Sequence, residues 1–111
     1  MEKAEKTTPS GRVMVAILIT PSYGAGWSSW NNEQGEKLLF DPTVVNLLTQ
    51  QPPNYMERIK QYCIEEYPNI FLGGLENLKV VWLPKGESFI IEEYDGFESL
   101  RIQSQIEWLT A

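Results

Sequence analysis

Hydrophobic and polar positions divide this chain into segments with distinct periods. Residues 13–19 (Val-Met-Val-Ala-Ile-Leu-Ile) form an unbroken apolar run rich in β-branched side chains, with Gly11 before it and Pro21 after it. A run without alternation predicts a strand covered on both faces. Asp41-Pro42 then supplies a capping residue followed by a first-turn proline, and Val44, Val45, Leu47 and Leu48 give a helical stripe that stops before Pro52-Pro53. Asn54 with Glu57 three residues later predicts a capping box for a second helix, along which Tyr55, Ile59, Tyr62, Cys63 and Tyr67 recur at helical spacing until Pro68.

The last third of the chain changes period. Residues 78–83 read as a strand closed by the turn signal Pro84-Lys85-Gly86, and residues 88–94 as the next strand. Asp95-Gly96 marks a two-residue hairpin, after which Leu100 and Ile102 alternate with Ser99, Arg101 and Gln103. Residues 106–111, with Trp108 and Leu109, are expected to tuck against the sheet. The order β-α-α-β-β-β predicts an α+β fold, an antiparallel-rich sheet with two helices on one face. Residues 1–12 are polar and read as a flexible arm, and residues 13–111 as a single domain.

Composition narrows the function classes. The 111 residues include one cysteine, Cys63, and no histidine. An internal disulfide is therefore impossible, and the commonest general base and zinc ligand is missing. No apolar run approaches the roughly 20 residues of a membrane-spanning helix, and no secretory signal is evident, so a cytoplasmic protein is expected. The net charge of −6 disfavours a nucleic acid backbone as partner. Residues 87–111 hold six acids (Glu87, Glu92, Glu93, Asp95, Glu98 and Glu107) against one base, Arg101, which predicts an acidic face.

The stretch between the first strand and the first helix holds the candidate chemistry. Residues 21–35 are rich in Gly, Ser, Asn and aromatics and fit neither period, as expected of a long loop that carries function. Within it, Gly24 and Gly26 free the backbone for close approach, while Tyr23, Trp27 and Trp30 offer flat apolar surface with polar tips. Ser28 and Asn31 add hydrogen-bonding groups, and Tyr94 and Asp95 stand at the hairpin turn. The competing reading makes Trp27 and Trp30 core anchors pinning the loop, and Trp82 and Trp108 are expected in the core. Gly24-Ala25-Gly26 lacks the third glycine and following helix of a dinucleotide fingerprint, though a phosphate cradle of backbone amides stays open. Ser28 and Ser29 lack the lysine of a Ser-x-x-Lys pair, and Cys63 falls on an apolar helix face as a small hydrophobe. Glu92, Glu93, Asp95 and Glu98 read as a solvated acidic edge or, less economically, as carboxylates for acid-base or metal chemistry.

Three stretches also carry a resemblance: Ser22-Tyr23-Gly24-Ala25-Gly26-Trp27-Ser28-Ser29-Trp30-Asn31, Val81-Trp82-Leu83-Pro84-Lys85-Gly86 and Glu93-Tyr94-Asp95-Gly96. Together they resemble a family of small tailed-phage proteins with a Gly-Tyr-Gly-Ala-Gly-Trp-Ser-Thr-Trp-Asn-like loop, a Trp-Val-Pro-Lys-Gly turn and a Glu-Tyr-Asp-Gly hairpin. The likeness covers most of the chain after the arm and departs at Ser22, Ser29 and Leu83. It carries over no catalytic residue. It implies an accessory protein acting in the host cytoplasm against a host defence component.

The resulting expectation is a non-enzymatic binding protein without cofactor or metal, contacting a host protein through Tyr23, Gly24, Gly26, Trp27, Ser28, Trp30, Asn31, Tyr94 and Asp95. Two alternatives stand beside it. One sequesters a nucleotide signal, with the aromatics stacking on a base and the loop amides and Ser28 holding a phosphate. The other is a metal-dependent enzyme using Glu93, Asp95 and Glu98. An apolar C-terminus and a free strand edge are compatible with a homodimer.

Overall fold

A computed structural model describes residues 2–103. Strand β2 (Val13–Ile19) runs through the centre of a three-stranded sheet, antiparallel to β1 (Glu5–Thr7) on one side and to β3 (Lys79–Pro84) on the other. Its register sets Glu5 opposite Val15 and Ala16 opposite Trp82. β4 (Phe89–Tyr94) and β5 (Phe97–Ile102) form a separate antiparallel hairpin. Between β2 and β3 lie a short helix α1 (Gly35–Phe40), then α2 (Pro42–Gln50) and α3 (Tyr55–Glu66).

The unbroken apolar run of β2 explains the layering. Ala16 and Leu18 face Val44 and Val45 of α2 and Ile59 and Cys63 of α3, so α2 and α3 cover one face of the sheet. Val15, Ile17 and Ile19 point the opposite way and pack with Phe40, Phe89, Ile91, Leu100 and Ile102. The fold is α+β as expected, but the strands form two sheets rather than one. A central strand apolar on both sides needs cover on both sides, and the β4–β5 hairpin supplies the second. The Asp95-Gly96 turn has positive φ at both residues, 48° and 84°, as a tight hairpin of this length requires.

Two local expectations need correction. The arm is not free: β1 lies within it, covering the edge of β2, with Lys3 over the Phe40 ring at 4.3 Å and Lys6 over Trp82 at 4.4 Å. An apolar strand with an open edge is a template for aggregation, and β1 pairs with the first part of that edge, Val13 to Val15. The capping box at Asn54 does not form, because Asn54 takes a left-handed conformation (φ 60°) rather than the extended one a capping side chain needs. Asp41, by contrast, caps α2 as expected, its Oδ1 accepting from the amides of Thr43 (2.9 Å) and Val44 (3.2 Å). Trp82 is partly buried and packs against the helix-side core. Trp108, Leu109 and Glu107 lie outside the described residues. Among the described residues no helix is long and apolar enough to cross a membrane.

Candidate binding surface

Glu98 joins the aromatic-glycine loop to the hairpin. On β5 it lies in register with Leu100 and Ile102, so the strand's alternation directs it inward, and it is fully buried. Its Oε1 accepts from the Thr20 amide at 3.0 Å. Its Oε2 accepts from the amides of Trp27 (2.9 Å) and Ser29 (3.1 Å) and from the Ser29 hydroxyl. Three of the four donors are backbone N–H groups, which can only donate, so the loop closes round this side chain as an anion nest. The backbone extends the connection: Glu98 N donates to Thr20 O (2.9 Å), Thr20 Oγ1 to Gly96 O (3.1 Å) and Gly24 N to Asp95 O (2.8 Å).

This geometry corrects two readings. Glu98 is not part of a solvated acidic edge. The loop amides that were candidates to cradle a phosphate are filled by the protein's own carboxylate, so a phosphate on Trp27 N and Ser29 N would have to displace Glu98. Sequence separations of 69 to 78 residues kept this pairing out of view. The inward direction of Glu98, however, was readable from its register with Leu100 and Ile102.

Glu93 faces Glu98 directly across the hairpin. Like charges so placed repel unless each has its own donors. Glu93 takes the Trp30 indole N–H at 3.0 Å and the Gly96 amide at 2.7 Å. These two bonds, the indole's first, hold its carboxyl below the usual carboxylate range. Glu92 pairs instead with Arg101, at 2.6 Å. Among the described residues no three His, Cys, Asp or Glu side chains converge as a metal-ligand set.

Close approach explains Gly96 and Gly26. A Cβ on Gly96 would lie 2.4 Å from Ala25 N, and one on Gly26 would lie 2.6 Å from both Ser29 Oγ and Trp30 Cδ1. Gly96 admits the loop backbone against the hairpin turn, Gly26 admits the loop's own Ser29 and Trp30 side chains, and Gly24, with nothing within 4 Å, serves instead through its positive φ of 126°.

The nine expected binding residues therefore separate. Gly26, Trp27, Ser28 and Asn31 are buried. Trp27 is a core residue that no partner can reach, its indole N–H donating to Leu38 O at 3.2 Å. Asn31 is structural: Nδ2 donates to Trp27 O (2.9 Å) and Phe71 O (3.0 Å), while Oδ1 accepts from Phe71 N (2.8 Å). Gly24 and Asp95 are exposed at the loop-hairpin junction. Tyr23, Tyr94 and Trp30 stand outward at 67%, 71% and 41% exposure. Tyr23 meets Tyr94 edge to face with centroids 6.4 Å apart and lies 5.1 Å from the Phe97 ring. Phe71, which sequence reasoning missed, is 45% exposed with its ring 5.6 Å from that of Trp30. Its only signal was its place in the short apolar piece Ile70 to Leu72 ended by Gly73-Gly74, which points to no site.

A second buried carboxylate lies on the helical side. Asp41 Oδ2 accepts from the Tyr62 hydroxyl at 2.8 Å and from that of Tyr67. Burial, and then the bond to Asp41, push Tyr62 up to about 12 and raise Tyr67 further. Burial, and then the Asp41 charge, push the Cys63 thiol up to about 12. Comparison with models of known protein families, with curated proteins and with solved structures finds no match to this chain.

Proposed function

We propose that this is a non-enzymatic binding protein that contacts a partner protein through the exposed aromatics of the loop-hairpin junction, with Tyr23 and Tyr94 as anchors and Trp30 at the rim. The observation that carries the reading is that these large side chains project from a backbone locked from beneath by Glu98. Exposed aromatics on a rigid support suit an interface hot spot, because little conformational freedom remains to be lost on binding. Neither buried carboxylate is poised for turnover: Glu98 and Asp41 both accept from the protein's own amides and hydroxyls. The resemblance to tailed-phage proteins adds that the partner is a host component, and an inhibitor of a host defence enzyme in the cytoplasm fits that context.

The test is affinity capture from host lysate with the wild-type chain, a Tyr23→Ser/Tyr94→Ser double variant and a control, Ile64→Ser, at an exposed apolar position of α3. A host protein retained by the wild type and the control but lost from the double variant is the expected result. Equal retention by all three would refute the assigned surface.

A further inference from the structure

The groove beside the junction has a chemistry that the protein-contact reading does not use. Trp30 and Phe71, with Asn32, Glu33, Gln34 and Asn69, line an open surface groove of about 330 Å³, the two aromatics supplying its flat apolar area. That volume lies at the lower end of the range for small-molecule sites, roughly 300 to 1,000 Å³. Both aromatics are fixed from behind, Trp30 by its indole bond to Glu93 and the Phe71 backbone by two hydrogen bonds with Asn31. The Gln34 amide N–H donates to Pro68 O, and among the described residues its side-chain carbonyl oxygen has no hydrogen-bond donor. Among the described residues, the side chains of Asn32, Glu33 and Asn69 bond to no other part of the protein.

We propose that this groove binds a neutral sugar ring. Three features select that class. The two aromatic rings are tilted 43° to each other, so they do not make the parallel slot that would sandwich a flat base, but they can cradle the C–H faces of a puckered ring. The free side-chain amides and the Glu33 carboxylate supply both donors and acceptors, the set that pairs of sugar hydroxyls require. Among the described residues Glu33 is the single charged group lining the groove and no cation lines it, which disfavours phosphorylated and acidic ligands. The proposal shares Trp30 with the protein-contact reading but rests on groove residues that lie outside the Tyr23–Tyr94 junction.

The experiment is a titration of the full-length chain with glucose, galactose, mannose, N-acetylglucosamine, maltotriose, cellotriose and chitotriose, with adenosine and uridine as planar comparators. Side-chain amide NMR signals of Asn32 and Asn69 and the Trp30 indole N–H report on the groove itself. At least one sugar is expected to move all three at millimolar concentration. Phe71→Ala and Asn32→Ala are each expected to weaken that binding roughly tenfold, the effect of losing about 1.4 kcal/mol. Asn69→Gly serves as the third variant, because Asn69 sits at φ 60° and glycine keeps that backbone conformation. Tyr23→Ser/Tyr94→Ser should leave sugar binding unchanged, so failure of one proposal is separable from failure of the other. The assignment is overturned if no sugar in the panel moves these signals, if binding survives all three groove variants, or if only the nucleosides bind.

Discussion

Replacing Glu98 tests the central structural claim, that a buried carboxylate holds the loop to the hairpin. Glu98→Ala would leave the amides of Thr20, Trp27 and Ser29 without their acceptor. Each unsatisfied buried donor costs about 1–3 kcal/mol, and water entering the vacated space offsets part of the sum, so a loss of about 4 kcal/mol is expected. A domain of this length has roughly 5–15 kcal/mol in total, so the variant should fold marginally. Glu98→Gln is milder. Its carbonyl can replace Oε2 and keep three donors, while its amide nitrogen confronts the Thr20 N–H, and relief from burying a charge offsets part of the loss. About 1–3 kcal/mol is expected for it. Denaturant unfolding monitored by circular dichroism measures both variants, with Glu93→Gln at the exposed neighbour as the control that should stay near wild type. Formate or acetate should raise the melting temperature of Glu98→Ala more than that of wild type, by entering the vacated nest. Stability of Glu98→Ala within about 0.5 kcal/mol of wild type, the range of ordinary surface substitutions, would refute the reasoning.

Three further outcomes are expected of the protein. Trp27→Ala empties a fully buried site and should cost about 3–5 kcal/mol, whereas Trp30→Ala at the surface should leave the unfolding midpoint nearly unchanged; the reverse order by thermal melts would exchange their roles. The folded-state value of Tyr62 is raised above its ordinary 10, so its contribution is complete below pH 10 and is lost as pH rises through about 12; ultraviolet titration should show late tyrosinate formation coinciding with alkaline unfolding, and Cys63, also raised to about 12, should resist thiol reagents at neutral pH until the chain is unfolded in urea. Glu93 is shifted the other way, so its bond to Trp30 is intact above the ordinary carboxylate range and breaks as pH falls below it; the Trp30 indole N–H signal should move only in that acid window, and a shift near neutral pH would contradict the assignment.

Much of the fold was legible because the governing signals are local. The apolar run of residues 13–19, the Asp41-Pro42 cap and the Asp95-Gly96 turn each fix their element within a few residues. The missing pieces are long-range or weakly patterned. Nothing in residues 5–7 marks a strand until the open edge of β2 is there to pair with, and α1 is only six residues long. The division into two sheets depends on which cover the second face of β2 receives, a question of packing rather than period. At the candidate site, the exposed positions Tyr23, Trp30 and Tyr94 were among those expected, but their separation from the buried Trp27 was not readable: the loop passes from buried Trp27 and Ser28 to exposed Trp30 and back to buried Asn31 through a single-turn helix at Ser28–Trp30 rather than through a regular period.

The loop and the hairpin, each a candidate contact surface by composition, turn out to satisfy each other. Glu98 takes the loop amides, Glu93 takes the Trp30 indole, and Asp95 takes Gly24. That exchange removes the phosphate cradle and one of the acidic groups from the surface, and it leaves the aromatics with a fixed backbone beneath them. The position of Tyr23 relative to Tyr94 then depends on Glu98, although Glu98 is sealed from any partner. A partner that reads those two rings should therefore lose affinity for Glu98→Ala under conditions where the variant is still folded, and formate should restore binding along with stability. Restoration of stability without restoration of binding would show that the nest holds the fold together but does not set the geometry of the surface.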